Sequence, residues 1–307
     1  MPRIIPCVCL LLGTAALWSA TAWSSDCVGL VPAGTSAFWR ELEAGARRTA
    51  NDLQLELYTR GPSQEGSVEV QLQLIDRVIA HGCKALIIAP AGDAIDTRIS
   101  ALRAEGIPTV YVDRGVAGEG AYALVATDNF LAGQLAGQQM AERLGRGARV
   151  GVLRLRQGLQ STDERERGFL LAAQASGLQV VFDTYLGDDP QRIATTLSEQ
   201  LPRLDGLFSP NGSSTRVTLG ALRRLGKVGT VDFVGFDGGD LLFDAVRQGQ
   251  IHALLLQQPQ AMGDHAVRLV HRALSGERAM SRLQLLLEPR VITAKELGDT
   301  TAAPQSW

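Results

Sequence analysis

The sequence predicts an α/β protein made of two doubly wound parallel-sheet lobes with a cleft between them. Three observations lead there. Short β-rich runs alternate with amphipathic helical stretches almost without interruption. Several runs, such as Ala85–Ala89, are apolar at every residue, as strands covered on both faces are. The chain, at 307 residues, also exceeds what one hydrophobic core usually fills.

Met1 to Ala22 is set aside first. It carries one cation, Arg3, no acidic residue, an apolar stretch from Ile4 to Trp18, and the small-residue ending Ala20-Thr21-Ala22. That is the layout of a secretory signal cleaved near Ala22, and the apolar stretch is too short to span a bilayer. Asp26 stands directly before Cys27, where a lipid anchor would want a small residue. The remaining 285 residues hold 29 basic and 32 acidic side chains, without basic runs. Such a surface offers no footprint for nucleic acid or anionic lipid. Cys7 and Cys9 leave with the signal, and Cys27 and Cys83 stay as an even pair in an oxidising compartment.

In the first half, Val28–Val31 reads as a strand and Phe38–Leu53 as a helix with Phe38, Leu42, Ala46 and Ala50 on one stripe. Leu53–Tyr58 alternates as a strand with one wet face, and Val68–Ala80 is again helical. Ala85–Ala89 is a strand ended by Pro90, Ile95–Glu105 a helix closed by Gly106, and Thr109–Val112 a strand. A second series starts after Asp128. Its helices are Asn129–Leu144, Asp163–Ala175, Gln191–Gln200, Val217–Leu225, Gly239–Gln248 and Met262–Leu274. Its strands are Arg149–Leu153, Gln179–Thr184, Gly206–Ser209, Asp232–Gly235, Ala253–Gln257 and a short run at Leu285–Glu288. In such an order the first and third strands are parallel neighbours. Cys27 and Cys83 each lie just before one of them, which predicts a Cys27–Cys83 disulfide.

Ligands of parallel sheets lie at the carboxyl ends of strands. There this chain places Ser36 with Phe38-Trp39, then Asp113-Arg114, Asn211, Asp237 and Gln257. Carboxylates, amides, a guanidinium and aromatic faces together suit a sugar. Each hydroxyl both donates and accepts, and the apolar C–H face of the ring stacks on an aromatic.

At these residues the sequence resembles the sugar-binding proteins of ABC importers, a type I periplasmic binding protein fold, and is similar in pattern to the ribose-binding kind. The landmarks are Phe38-Trp39, Asp113-Arg114, Thr127-Asp128-Asn129, Arg165-Glu166-Arg167-Gly168-Phe169, Ser209-Pro210-Asn211, Val234-Gly235-Phe236-Asp237 and Gln257 before Pro259. The resemblance covers Val28 to Glu288. It implies a ligand set of Phe38, Trp39, Asp113 and Arg114 from the N-lobe, Arg165, Asn211 and Asp237 from the C-lobe, and Gln257 from the hinge. It implies an N-lobe of 23–126 plus 258–286 and a C-lobe of 127–257 plus 287–307. The lobes are joined by a three-crossing hinge at Thr127, Asp128, Gln257 and Gln258 and again after Leu286. Ser36 stands where the family pattern has asparagine, the aromatic expected near Gly187-Asp188-Asp189 is missing unless Tyr185 replaces it, and Gly212–Arg216 reads as an enlarged loop.

Catalytic and metal motifs are weak. The run Gly235–Asp240 lacks both a P-loop Lys-Ser/Thr and EF-hand ligand spacing, the four histidines show no metal spacing, and no Gly-x-Ser-x-Gly occurs. The expectation is a monomeric binding protein without cofactor, metal or chemistry. It would capture a monosaccharide or polyol and hand it to an ABC importer permease. The alternative is a protein that presents its loaded form to a membrane sensor or sensor kinase.

Overall fold

The computed structural model describes residues 26–277 and 281–298; the signal segment, Trp23 and Trp307 lie outside them. Two six-stranded sheets form the two lobes. In the N-lobe sheet, β1 (Cys27–Val31), β2 (Glu56–Thr59), β3 (Ala85–Ile88), β4 (Thr109–Val112), β5 (Ala123–Thr127) and β11 (Leu283–Leu287) lie in the order β11-β5-β4-β3-β1-β2, all parallel. In the C-lobe sheet, β6 (Arg149–Arg154), β7 (Gln179–Tyr185), β8 (Gly206–Phe208), β9 (Asp232–Phe236), β10 (Ala253–Leu256) and β12 (Arg290–Thr293) lie in the order β12-β10-β9-β8-β6-β7. Among the described strands only β12 runs antiparallel to its neighbour.

The all-apolar runs have a direct cause: each sheet is covered on both faces. Val28, Leu30, Ile87 and Val110 point into one N-lobe core with α1 (Ala37–Asp52) and α9 (Pro259–Leu274). Val31, Leu86, Ile88 and Tyr111 point into the other with α2 (Val68–Ala80) and α3 (Ala94–Ala104). The C-lobe repeats this. One face of its sheet is covered by α4 (Asn129–Leu144) and α5 (Gln160–Ser176). The other is covered by α6 (Pro190–Gln200), α7 (Gly212–Arg224), α8 (Asp240–Arg247) and the short α10 (Ala294–Gly298).

Four elements depart from the sequence expectations. β5, β12 and the short α10 have no counterpart among them, and α7 starts at Gly212 rather than Val217. The Asn211 side chain caps α7 by accepting from Ser214 N–H at 3.3 Å, so Gly212–Arg216 is the first turn of a helix and not an enlarged loop. Cys27, at the start of β1, and Cys83, two residues before β3, form a disulfide with Cα atoms 4.2 Å apart.

The chain crosses between the sheets three times, and the crossings are bonded to one another. Thr127 Oγ1 donates to Gln257 Oε1 at 2.9 Å, Asp128 N–H to the Leu287 carbonyl at 2.8 Å, and Gln258 Nε2 to the Glu288 carbonyl at 2.8 Å. Among the described residues no helix is long and apolar enough to cross a membrane.

Candidate functional site

Asp113 follows β4 and Asp237 follows β9, which hold the same third place in the two sheet orders. Their φ angles are 67° and 61°, and among the described residues only Gln54 is another non-glycine with positive φ. An L-residue held there costs of order 1 kcal/mol or more, and such strain gathers at functional sites. Both carboxylates line one cavity of about 560 Å³ between the lobes. Ser36, Phe38, Trp39, Arg114, Arg165, Asn211 and Gln257 line the same cavity, so all nine residues picked out by the sequence converge.

On the N-lobe side, Asp113 is buried and lies 3.1 Å from Arg114 Nε. Burial pushes its carboxyl up, against the opposing pull of Arg114 and Arg165. Ser36 occupies the N-cap position of α1 without a side-chain capping bond. Phe38 and Trp39 meet edge to face with centroids 4.8 Å apart.

On the C-lobe side, Arg165 is buried on α5. Its Nε donates to Asn129 Oδ1 at 2.8 Å, and its two terminal nitrogens donate to the Pro210 carbonyl and Gln257 Oε1, each at 3.0 Å. Its guanidinium lies 3.8 Å from the Phe236 ring centroid. Burial pulls its pKa down and the carboxylates Asp237 and Asp113 pull it back up, and an arginine keeps its charge in such a balance. Asp237 accepts from Gly212 N–H at 3.0 Å and from Gln257 Nε2 at 2.9 Å. Gln257 thus sits where the second crossing meets the first, with its oxygen taking Thr127 and Arg165 and its nitrogen giving to Asp237. Hinge and cleft share one hydrogen-bond network.

Arg165 is placed by an unusually close helix pair. A Cβ on Gly168 would overlap the Phe130 carbonyl oxygen, and one on Gly133 would overlap the Arg165 carbonyl oxygen. The absent side chains let α4 and α5 touch backbone to backbone.

Tyr185 does not take the place of the missing aromatic: it ends β7 outside the cavity, with its hydroxyl at 3.2 Å from Arg154. The cavity also holds Glu65, Arg156, Asp188 and Arg216, which carry no sequence signal of their own. Glu65 is drawn in by tertiary contacts: its Oε1 accepts from the Trp39 indole N–H at 2.7 Å, and its Oε2 lies 3.5 Å from Arg114. At the opposite, amino-terminal end of the N-lobe sheet, Cys27, Glu56 and His81 bring donor atoms within 4.8 Å of one another, with the Cys27 sulfur held in the disulfide.

Comparison with known proteins adds a family. The model of the periplasmic binding protein domain matches residues 28–278. A ribose import binding protein of Haemophilus influenzae is 29% identical over 285 residues, covering 91% of this chain and 95% of its own. A D-ribose/D-allose-binding protein of Pseudomonas aeruginosa is 24% identical, covering 78% of this chain and 79% of its own. Among solved structures, the periplasmic component of an ABC-type sugar transport system from Hahella chejuensis has a TM-score of 0.80 at 31% identity, covering 87% of this chain and 100% of that one. A solute-binding protein of Agrobacterium radiobacter, in complex with D-arabinose, has a TM-score of 0.83 at 21% identity and shows the shared fold, covering 93% of this chain and 100% of that one.

Proposed function

Since this chain belongs to the periplasmic binding protein family, we propose that its cleft captures a monosaccharide or polyol of about pentose size in the periplasm. Closure over the ligand then presents it to the permease of an ABC importer. The observation that carries this is the convergence of Asp113-Arg114 from one lobe and Arg165, Asn211 and Asp237 from the other on one cavity, beside Trp39 and Phe38. Paired carboxylates and guanidiniums satisfy hydroxyls that both donate and accept, and an indole or phenyl face covers the C–H side of the ring. Neither lobe alone holds the whole set, so binding favours the closed arrangement by the difference in contacts between open and closed states. Gln257 links that choice to the hinge, because its bonds to Thr127, Arg165 and Asp237 join the crossing strands to the ligand side chains.

The ligand leaves as it entered; no step of bond making is assigned to the cleft. Delivery to a sensor would use the same closed form, and import is favoured by relatives that are named import binding proteins. The test is a thermal-shift screen of the chain from Trp23 onward against pentoses, hexoses and polyols. A ligand at about 100 times its Kd stabilises the folded state by about 2.7 kcal/mol. A rise of several degrees with at least one such compound is expected. A screen in which no sugar or polyol moves the melting temperature contradicts the reading.

A further inference from the structure

Glu65 lies on the segment 60–67 between β2 and α2, in a turn whose next residue, Gly66, has φ +101°. The segment packs over residues 32–36: a Cβ on Gly61 would lie 3.0 Å from Pro32 Cγ, and one on Gly34 would lie 2.8 Å from Glu65 Cγ. Gly34 therefore leaves open the path by which the Glu65 side chain reaches the cavity. Its carboxylate is half-exposed there and serves Trp39 Nε1 and Arg114. A carboxylate offers about four acceptor directions. The two bonds made within the protein leave others for hydroxyls of a bound ring, and they also fix the indole edge of Trp39.

The charges around it are unevenly committed. Arg114 is shared between Glu65 and Asp113, and Arg165 is spent on Asn129, Pro210 and Gln257. Arg216 is exposed and donates to the Gly238 carbonyl at 2.7 Å, and Arg156 is exposed beside Gly66. Four carboxylates, Glu65, Asp113, Asp188 and Asp237, thus line the cleft, where the buried cations Arg114 and Arg165 already have partners. A further negative charge, brought by the ligand, meets these like charges, buried Asp113 among them, the arrangement by which binding sites reject a wrong partner.

We propose that Glu65 is a ligand-binding residue of the cleft and sets its specificity, admitting neutral hydroxyl-rich rings and rejecting their carboxylate-bearing counterparts. This rests on the sugar-capture reading above. It adds a residue and a rule of charge to it.

The test is calorimetric titration of wild type, Glu65→Ala, Glu65→Gln and Gly34→Ala with D-ribose, D-allose, D-arabinose and D-galactose, and with D-ribonate, D-galacturonate and D-glucuronate. Circular dichroism melts check that each variant is folded. Wild type should bind a neutral sugar at least about a hundredfold more tightly than the acids. Glu65→Ala should weaken that sugar by about tenfold or more, and Glu65→Gln should narrow the neutral-to-acid ratio by about tenfold. Gly34→Ala, whose Cβ displaces the carboxylate without altering it chemically, should reproduce the Glu65→Ala loss. Unchanged affinities and ratios in both Glu65 variants, or a wild type that prefers an acid, would overturn the role of Glu65 and leave sugar capture standing. A wild type that binds none of the seven compounds would bring down both.

Discussion

Asp237→Asn is the sharpest single change the structure offers. Asparagine has the shape of aspartate and tolerates the left-handed backbone at φ 61°, so the chain path should survive. The chemistry should not. Both carboxylate oxygens accept protein hydrogen bonds, from Gly212 N–H at 3.0 Å and from Gln257 Nε2 at 2.9 Å. An amide nitrogen must face one of these two donors. Flipping the Gln257 amide gives no escape, because its nitrogen would then face Arg165, which can only donate. One donor left unpaired costs about 1–3 kcal/mol, and a hydrogen bond from a ligand hydroxyl to the lost charge is worth about 1.5–3 kcal/mol. Affinity for the sugar that gives the largest thermal shift should therefore fall by about tenfold to a hundredfold or more, with a modest drop in melting temperature. Isothermal titration at pH 7 measures the first, and a circular dichroism melt the second. Affinity within about twofold of wild type would refute the assignment of Asp237 to the ligand.

Other parts of the fold give independent tests. Burial pushes the wholly buried Glu166 carboxyl up to about 7, with Arg154 at 3.3 Å pulling it back only in part. An acid whose folded pKa is raised weakens the fold increasingly as pH rises from about 4.5 to about 7, then by a constant amount of about 3 kcal/mol. Glu166→Gln should therefore raise the melting temperature at pH 8 and leave it near wild type at pH 4.5; melts with no gain at pH 8 contradict the raised pKa. Gly168→Ala should destabilise by about 1–3 kcal/mol despite the better helix propensity of alanine, because its Cβ meets the Phe130 backbone, and should weaken sugar binding by shifting Arg165. A Gly168→Ala protein that melts higher than wild type would rule out the close α4–α5 contact. The disulfide closes a loop over a sequence separation of 56, so breaking it should cost about 4 kcal/mol, read as a lower melting temperature in reductant. A melt indifferent to reductant would contradict this.

Legibility in the sequence followed local strength. β3 shows itself because every residue is apolar, β4 because its four residues are all β-branched or aromatic, and α2 because its apolar residues form a stripe at helical spacing. β5 is hidden: Ala123–Thr127 follows the glycine-rich stretch 115–120 with no helix between it and β4, so the strand–helix alternation that marks the strands before it is missing. β12 depends wholly on its antiparallel partner β10. The first turn of α7, Gly-Ser-Ser-Thr, reads as loop by propensity, and only the Asn211 cap and the Asp237 carboxylate under Gly212 make it helical. The strand-end polar residues were readable because the sheet fixes where they must lie. Glu65 was not, since it reaches the cavity only through the packing of its turn on Gly34 and Trp39.

The central claim is a cleft that closes over a small neutral sugar, and small-angle X-ray scattering of the chain from Trp23 onward tests it most directly. Titration with the sugar that stabilises the protein most should lower the radius of gyration and shorten the longest interatomic distances, in step with occupancy. The same addition to Asp237→Asn, at a concentration too low to fill that variant, should leave both unchanged. A wild-type protein saturated with its sugar, whose scattering is the same as without it, would contradict the account.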